Sequence, residues 1–284
     1  MTEIIIKDED LTSLKGKAVI VTGGSSGIGL ATVKLLLELE ASVVSADINS
    51  PPEPISNPAF LFVQANVTEW TDLVTLFKKA KEQYGRIDCV FANAGIGPRA
   101  NYLALETAAN GDLQEPNHSV LDLNFKSVVN TTSLAIHYLK QNSEGGNIVL
   151  MASSTALQPM RAPDYSSAKS GVIGFGRSIQ RTIKAAGLPI RVNTLAPSWT
   201  SSQVLPDLDG IMAAISHKAQ PSSVVARSAL YLMTTTTREG DLIFVSDGKN
   251  TEIEQSILAP AYAKIKGDGP SDDEILERIL GLGA

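Results

Sequence analysis

The sequence predicts an α/β fold: a doubly wound parallel sheet of about seven strands with a layer of helices on each face. Apolar, β-rich runs alternate with amphipathic segments of helical periodicity along nearly the whole chain. The strand-like runs are apolar throughout, as strands are when helices cover both faces of a parallel sheet. The 284 residues, 43% of them hydrophobic, can bury a large core, and the regular alternation predicts a single domain. Its core spans about residues 15–248, and about 250–284 form a C-terminal extension.

The predicted elements alternate in chain order. Strands are expected at Lys17–Val21, Ser42–Ala46, Phe60–Gln64, Cys89–Ala92, Asn147–Met151, Arg191–Leu195 and Asp241–Val245. Helices are expected near Ile28–Leu39, Glu69–Tyr84, Val120–Lys140, Tyr165–Ala186 and Ser222–Met233. The proline-rich segment Ser50–Pro58 stands in place of a helix, and Gly97–Asn117 is typical of an inserted loop. The amphipathic patch Asp272–Leu280 either docks on a neighbouring element or stays loose.

Composition and charge exclude several classes of protein. A formal net charge of -6 argues against a nucleic-acid partner, which needs a concentrated basic face. The N-terminus has no signal pattern and no apolar stretch reaches the ~20 residues of a membrane span, so we expect a cytoplasmic protein without a membrane partner. The single cysteine, Cys89, excludes an internal disulfide and is expected to be a buried, inert thiol. No metal site is predicted, because His118, His137 and His217 show no ligand spacing with Cys89.

A glycine-rich loop follows the first predicted strand and precedes the first predicted helix. Glycines at this position permit a tight turn and a close approach of the backbone to a pyrophosphate. The helix that follows presents unpaired N–H groups and the positive end of its dipole to the same anion. The sequence therefore predicts a dinucleotide site formed by Thr22, Gly23, Ser25, Ser26, Gly27, Ile28 and Gly29.

Asp47 closes the second predicted strand, 18 positions after Gly29. This is close to the offset of ~20 residues at which an acidic side chain meets the adenosine ribose of a dinucleotide. A carboxylate there accepts hydrogen bonds from the ribose hydroxyls and repels a 2′-phosphate, and no arginine or lysine lies in the glycine loop or directly after Asp47. The sequence predicts NAD rather than NADP. The alternative is that Asp47 only terminates the strand.

Further polar residues stand at the ends of other predicted strands. Asn66-Val67 follow the third, and Asn93-Ala94-Gly95 follow the fourth. Because the carboxyl ends of parallel strands line the ligand crevice, we expect these residues near the adenine and ribose. Ordinary turn formation by asparagine and glycine explains either group alone equally well.

Tyr165 and Lys169 lie four positions apart at the start of a predicted helix, so they share one face of it. A cation beside a phenol favours the phenolate and lowers a tyrosine pKa from its usual value near ~10. The serine pair Ser153–Ser154 ends the preceding predicted strand, where a hydroxyl can bind the same substrate oxygen. These groups can move a proton on or off an alcohol. The Tyr-x-x-x-Lys spacing alone leaves simple surface packing open.

With these motifs in order, the chain from about residue 15 to 248 resembles the short-chain dehydrogenase/reductase family, whose fold is Rossmann-type. The resemblance implies that the Thr-Gly-x-x-x-Gly-x-Gly loop binds the pyrophosphate through Thr22, Gly23, Gly27 and Gly29. It also implies that Asn93–Gly95 support the adenosine side and that Asn66-Val67 lie beside the adenine. The family's catalytic Asn, Ser, Tyr and Lys correspond to Asn124, Ser154, Tyr165 and Lys169.

The sequence departs from the family pattern in three places. The serine–tyrosine loop is shorter than usual, so Ser153 remains a rival to the favoured Ser154. The family's Pro-Gly after the sixth strand is Pro197-Ser198 here, while Thr200 and Ser202 remain placed to contact the nicotinamide carboxamide. The helix after Asp47 is truncated.

The leading functional hypothesis is NAD(H)-dependent interconversion of a secondary alcohol and a ketone. In it Tyr165 is the general acid/base, Lys169 lowers its pKa and holds the nicotinamide ribose, and Ser154 orients the substrate oxygen. Asn124 would hold a water molecule that links Lys169 to solvent; ordinary interhelical hydrogen bonding is its alternative. Two other hypotheses stay open: a non-redox lyase or cyclase on the same scaffold, and an NAD-binding sensor.

The substrate is expected to be a mainly apolar, medium-sized molecule. Three segments should hold it: Thr155–Pro163, Ile96–Asn101 and Trp199–Asp209. They contribute one cation, Arg161, which either meets a substrate anion or points to water. The apolar side chains expected to contact the substrate are Leu157, Met160, Trp199, Val204 and Leu205.

The chain is also expected to form a homodimer or homotetramer. The helix after Tyr165 carries Gly171, Gly174 and Gly176, which let helices approach closely. The segment Val120–Lys140 has apolar residues on more than one face, and family members commonly pair through these two helices.

Overall fold

The computed structural model describes residues 2–202 and 208–282. Its strands are β1 Thr2–Ile4, β2 Ala18–Thr22, β3 Ser42–Asp47, β4 Phe60–Gln64, β5 Cys89–Ala92, β6 Gly146–Met151, β7 Ile190–Pro197, β8 Leu242–Ser246 and β9 Lys249–Glu252. Its α-helices are α1 Gly27–Glu38, α2 Trp70–Tyr84, α3 Ser119–Leu121, α4 Ser127–Leu139, α5 Pro163–Ala185, α6 Leu208–Ala214, α7 Ser222–Thr234, α8 Ala259–Lys266 and α9 Asp272–Gly281.

All these strands form one sheet in the order β1-β9-β8-β7-β6-β5-β2-β3-β4. The seven strands β2 to β8 run parallel, which confirms the predicted doubly wound fold. The sheet has nine strands in the described part of the chain, because β9 pairs antiparallel with β8 and β1 pairs antiparallel with β9. The sequence did not predict these two edge strands, since they are short and lack a buried apolar run. The chain winds outward in one direction from β2 and in the other from β5, so a crevice opens where the two strands diverge.

Helices cover both faces of the sheet and bury two apolar clusters. On one face α1 and α7 pack Val33, Leu36 and Leu230 against side chains of the central strands. On the other face α2, α4 and α5 pack residues such as Phe77 and Val172 against the alternate side chains. Both faces of the parallel strands are therefore buried, which explains their continuous apolar sequences.

One predicted element takes a different form in the structure: the helix predicted at Val120–Lys140 is interrupted by a π-helical turn, Asp122–Lys126, between α3 and α4. No helix forms between β3 and β4, all of whose connecting residues are described, as the prolines predicted. The C-terminal patch forms the exposed helix α9, which an ion pair between Arg181 and Asp273 links to α5.

Two of the three glycines in α5 serve contacts within this chain. A Cβ added at Gly171 would lie 3.0 Å from the Phe125 ring, and one at Gly176 would lie 2.6 Å from the Thr194 hydroxyl. A Cβ at Gly174 would meet nothing within 4 Å. Gly171 and Gly176 thus let α5 lie close to its own neighbours, which differs from their expected role between subunits.

Burial holds the pKa of the Cys89 thiol at about 12, so this cysteine is protonated and unreactive, as predicted. Within residues 2–202 and 208–282, no helix is both long and apolar enough to cross a membrane. The same residues contain no cluster of three or more His, Cys, Asp or Glu side chains that could hold a metal ion.

Candidate active site

A cavity of about 380 Å³ lies at the carboxyl ends of the parallel strands, over the divergence of β2 and β5. It is lined by many of the residues singled out in the sequence: Gly23, Ser26, Gly27, Ile28, Asp47, Asn66, Val67, Asn93, Ala94, Gly95, Ser153, Ser154, Tyr165, Lys169, Pro197, Ser198, Thr200 and Ser202. The predicted residues Thr22, Ser25, Gly29 and Asn124 are not in its wall, and each makes contacts that hold the wall in place.

The glycine loop is tightly packed against the end of β5. Gly23 has a φ of +67°, and a Cβ there would lie 2.8 Å from the Ala94 Cα. A Cβ at Gly29 would overlap the Gly23 carbonyl oxygen. Only glycine fits at these two positions, so the backbone of the loop reaches the cavity without side chains in front of it. The N-terminus of α1 then faces the cavity with unpaired N–H groups.

Thr22 and Asn93 join the ends of β2 and β5. The Thr22 hydroxyl accepts hydrogen bonds from the backbone N–H groups of Asn93 (3.0 Å) and Ala94 (3.2 Å). In return, the Asn93 amide donates to the Thr22 carbonyl oxygen at 2.9 Å. These reciprocal bonds fix the floor of the cavity at the point where the strands separate.

Asp47 stands at the end of β3 with its carboxylate bound by two backbone amides. One oxygen accepts from the Ser25 N–H at 3.1 Å and the other from the Asn49 N–H at 3.2 Å. The Ser25 hydroxyl also donates to the Asn49 carbonyl oxygen at 2.6 Å. Asp47 therefore links the glycine loop to the turn after β3 and still lines the cavity.

Asn66 lines the cavity, but its side chain makes hydrogen bonds within the local turn. Its amide oxygen accepts from the Thr68 N–H (3.1 Å) and the Thr68 hydroxyl (2.8 Å). The turn-forming alternative considered for this asparagine is therefore present in the structure, together with its position beside Val67 in the cavity wall.

Asn124 lies in the π-helical turn and is fully buried. Its amide oxygen accepts from the Ile96 N–H and its amide nitrogen donates to the Ile96 carbonyl oxygen, both at 2.8 Å. A Cβ added at Gly95 would lie 3.3 Å from that amide oxygen and 3.6 Å from the Lys169 ammonium, so the three groups are close neighbours. Both polar atoms of Asn124 hold the segment after β5. This contact differs from the simple interhelical bond considered as its alternative.

Lys169 is buried, with 2% of its surface exposed. Its ammonium group donates to the Met151 carbonyl oxygen at the end of β6 (2.8 Å) and lies 5.7 Å from the centre of the Tyr165 ring. Because the charged form has lost its water, burial lowers the pKa of Lys169 to about 8.

The pKa of the Tyr165 phenol is raised above its ordinary value, which corrects the expectation that Lys169 lowers it. Burial disfavours the phenolate and is the larger effect; a hydrogen bond with the Ser153 side chain acts in the opposite direction. The Lys169 ammonium is directed to a backbone carbonyl, and it lies beside the ring rather than at the hydroxyl. In this structure the phenol therefore keeps its proton at neutral pH.

Of the two candidate serines, Ser153 is the one whose side chain acts on the pKa of the Tyr165 phenol, which it lowers. Its hydroxyl also accepts from the Thr155 N–H at 3.2 Å and caps the short 3₁₀ helix Ser154–Ala156. Ser154 is the first residue of that helix, and both serines line the cavity. Both therefore stay candidates for the catalytic serine.

The substrate side of the cavity is partly as predicted. Met160 and Trp199 line it, whereas Leu157 and Arg161 do not, and Arg161 is exposed. The expected contacts Val204 and Leu205 lie outside the described residues. Thr200 is held by its hydroxyl, which donates to the Ser198 carbonyl oxygen (2.7 Å) and accepts from the Gln220 amide (3.1 Å).

Sequence reasoning missed several residues of the cavity wall. Most of them are apolar or small residues that carry no motif of their own. Their position at or near a strand end was the available signal for most of them. The missed residues are Ile48, Asn49, Ala65, Leu123, Met151 and Ala152.

Comparisons with known proteins identify the family of the chain. A family model described as short chain dehydrogenase matches residues 17–210. The chain is 43% identical over 286 aligned positions to the short-chain dehydrogenase/reductase ascJ of Acremonium egyptiacum, covering 99% of this chain and 96% of the relative. It is 29% identical over 208 positions to the NAD(+)-dependent 15-hydroxyprostaglandin dehydrogenase of Homo sapiens, covering 69% of this chain and 73% of that one.

Solved structures share the fold at low sequence identity. The ligand-free aldohexose dehydrogenase of Thermoplasma acidophilum superposes with a TM-score of 0.72 at 20% identity, covering 84% of this chain and 95% of that one. Levodione reductase superposes with a TM-score of 0.68 at 21% identity, covering 83% and 98%.

The fold and the site thus define a nicotinamide-dependent class of α/β oxidoreductases. The chain belongs to the short-chain dehydrogenase/reductase family, as its motifs indicated.

Proposed function

We propose that the protein interconverts a secondary alcohol and a ketone with NAD(H) as the redox partner. The observation that carries this proposal is the meeting of three groups in one cavity wall: the Tyr165 phenol, the Ser153 hydroxyl and the Lys169 ammonium. The same cavity extends to the glycine loop and to Asp47, where a dinucleotide would be held.

In the proposed reaction, Tyr165 gives its proton to the ketone oxygen in reduction and takes it back from the alcohol in oxidation. Ser153, or Ser154 as the rival, donates a hydrogen bond to the same oxygen and stabilises the charge that develops there. The nicotinamide ring, when bound, supplies or accepts the hydride. The raised pKa of Tyr165 keeps the phenol protonated at neutral pH, which is the form that reduction requires.

Lys169 acts on this centre from the cavity wall and Asn124 from behind it. Lys169 offers donors toward the ribose side of the site and brings a positive charge near the phenol ring. In oxidation, in which Tyr165 must act as a base, this charge offsets only part of the effect of burial on the phenol's pKa. Asn124 holds the backbone of Ile96 and so keeps the segment after Gly95 in place beside the ammonium group.

The residues present fit a dinucleotide. A Cβ at Gly23 or Gly29 would collide with the end of β5 or with the loop itself, so only glycines let the loop keep this tight turn at the N-terminus of α1, where a pyrophosphate would bind. Ser26, Gly27 and Ile28 line this part of the cavity, and Asn93 to Gly95 line the part beyond it.

NAD is the proposed form of the cofactor because Asp47 places a carboxylate in the ribose part of the cavity. Among the described residues that line the cavity, Asp47 and Lys169 are the charged ones, so no arginine there receives a 2′-phosphate. The human relative named above is described as NAD(+)-dependent. Titration of the protein with both dinucleotides tests this proposal: NAD should bind more tightly, and tighter binding of NADP would contradict it.

The proposed substrate is uncharged and mainly apolar near its reacting carbon. Ile96, Pro98, Met160, Trp199 and Leu208 supply the apolar surface of the cavity. The exposed position of Arg161 favours the alternative in which this cation points to water. A panel of lipophilic hydroxy and keto compounds, followed by NADH absorbance, would identify the class.

Replacing Tyr165 by Phe tests the proposed reaction directly. Loss of the general acid/base should lower kcat by roughly 10²- to 10⁴-fold, while the dinucleotide dissociation constant changes little. The variant removes one hydroxyl and leaves the ring beside Lys169, so the fold should be kept. Turnover at the level of the unmodified protein would refute the role of Tyr165.

We also propose a homodimer or homotetramer. In α5, Gly174 is exposed and has open space around it, so a second copy can approach this face closely. Light scattering at micromolar concentration should give two or four times the mass of the chain, and a monomer would contradict the proposal.

A further inference from the structure

Asp164 is a buried carboxylate directly before Tyr165, with 1% of its surface exposed. It lies in the first turn of α5, and one of its oxygens accepts from the Tyr165 N–H at 2.8 Å. The other oxygen accepts from the N–H groups of Arg99 (2.8 Å) and Ala100 (2.9 Å). A single side chain therefore binds three backbone amides. One belongs to the next residue, Tyr165, and the other two belong to Arg99 and Ala100, which precede Asp164 by 65 and 64 positions.

The segment that Asp164 binds forms part of the substrate side of the cavity. It follows β5, and its residues Ile96 and Pro98 line the cavity. Asn124 holds the beginning of the segment at Ile96, and Asp164 holds its end at Arg99 and Ala100. The chain then continues into the long irregular stretch 101–117, so these bonds are the last ones described that tie the segment to α5 before that stretch.

The hydrogen bonds also determine the protonation state of the Asp164 carboxyl. Burial raises the pKa of this carboxyl, but the bonds from the amides of Ala100, Arg99 and Tyr165 outweigh burial and lower it below the ordinary value. Asp164 is therefore ionised at neutral pH, when it can accept all three bonds. A carboxylate in the first turn of a helix also stabilises the helix dipole, but that effect needs no bond to another segment.

We propose that Asp164 is a positioning residue that fixes the substrate-contacting segment 96–100 relative to the Tyr165 phenol. This inference rests on the proposed function, because the relative position matters through the substrate that lies between the two. Misplacement of a reacting group by about 1 Å can cost roughly 10²-fold in rate, so loss of a bond set that spans both sides of the substrate is expected to lower kcat/KM, with the loss of substrate contacts appearing in KM.

The first test is Asp164→Asn. The carboxamide keeps one acceptor oxygen but replaces the other with an NH₂ group, which is itself a donor and cannot accept a hydrogen bond from the backbone amides. The KM for the substrate should rise by roughly 10-fold or more, with a smaller change in kcat, while the NAD dissociation constant stays within about 2-fold. Asp164→Ser, which is smaller and retains one acceptor, should give an intermediate KM and provides a second variant if the first does not fold.

Asp88→Asn is the matched control. Asp88 is also a buried carboxylate that accepts a backbone N–H, that of Ala18 at 2.9 Å, but it precedes β5 and so lies at the amino end of this central strand, away from the cavity. This variant should lose stability and keep the substrate KM. An equal effect of both variants on KM would reduce Asp164 to a general stabilising role and overturn the proposal.

Hydrogen exchange separates this proposal from the proposed function. The amides of Arg99 and Ala100 should exchange faster in Asp164→Asn and at an unchanged rate in Asp88→Asn. If no alcohol or ketone is turned over, the proposed function fails, and the exchange rates alone decide whether Asp164 anchors the segment. Unchanged exchange at Arg99 and Ala100, or an unchanged KM in a folded variant, would overturn the inference.

Discussion

The two ends of the cavity are built in different ways. The dinucleotide end comes from one short stretch, residues 22–29, and the adjacent strand ends, and its shape follows from backbone contacts. The catalytic end combines the end of β6, a π-helical turn and the start of α5, which meet only through packing. The first end is specified by steric limits on glycine and the second by burial and hydrogen bonds between distant segments.

The charged groups at the two ends differ in the same way. The Asp47 carboxylate is partly exposed and bound by two nearby amides, whereas the Lys169 ammonium is buried under the strand ends with one carbonyl partner described. Burial thus changes the proton affinities of the catalytic groups, Tyr165 upward and Lys169 downward. Three pairs of variants test whether substitutions at the two ends of the cavity have different effects on catalysis, stability and cofactor binding.

The largest expected effect concerns the serine pair at the catalytic end. Ser153→Ala removes the hydroxyl that acts on the pKa of the Tyr165 phenol and should lower kcat by roughly 10²- to 10³-fold, the usual loss for a donor to a developing oxyanion. Ser154→Ala, its neighbour in the same cavity wall, should lower kcat by less than about 5-fold on the same reasoning. Steady-state kinetics with a ketone and NADH would measure both, and the reverse ranking would restore Ser154 as the catalytic serine.

The next effect is the pH dependence that buried Lys169 imposes on stability. Its pKa falls from 10.5 to about 8 on folding, so between these values the unfolded chain binds more protons and the free energy of unfolding rises with pH. The buried ammonium costs about 3 kcal/mol below pH 8, and this cost disappears as the pH rises towards the unfolded-state pKa of 10.5.

Lys169→Met should therefore be more stable than the unmodified, cofactor-free protein at pH 7, and the difference should shrink as the pH rises above 8. Denaturant unfolding at a series of pH values measures this. Lys78→Met, at an exposed position on α2, is the control and should leave the slope unchanged. If the free energy of unfolding changed with pH in the same way in the unmodified protein and in Lys169→Met, Lys169 would not be desolvated.

The smallest expected effect is the difference in stability between alanine substitutions at two glycines. Gly29→Ala places a Cβ against the Gly23 carbonyl oxygen and should cost about 1–3 kcal/mol of stability and weaken NAD binding. Gly174→Ala, on an open face of α5, should stabilise the separated subunit by about 0.5–1 kcal/mol, weaken the proposed contact between copies and leave NAD binding unchanged. Thermal unfolding and NAD titration measure both changes. Equal tolerance at the two positions would mean that the glycine loop is looser than its contacts indicate.

The sequence by itself determined the parallel sheet, the positions of its central strands along the chain and the proposed location of the dinucleotide end. These features depend on local rules: apolar runs that need cover on both faces, and glycines that a tight turn requires at Gly23. Tyr165 and Lys169 also followed from spacing on one helix, because residues four apart share a face.

Only the tertiary structure decided in which direction the phenol's pKa moves and what Asp164 binds. The first depends on how much water packing removes from the phenol, and the second on amides 64 and 65 positions away. The edge strand β1 likewise forms by pairing Thr2 with Glu252 across almost the whole chain. Such contacts join segments that are far apart in sequence, so no local pattern of residues specifies them.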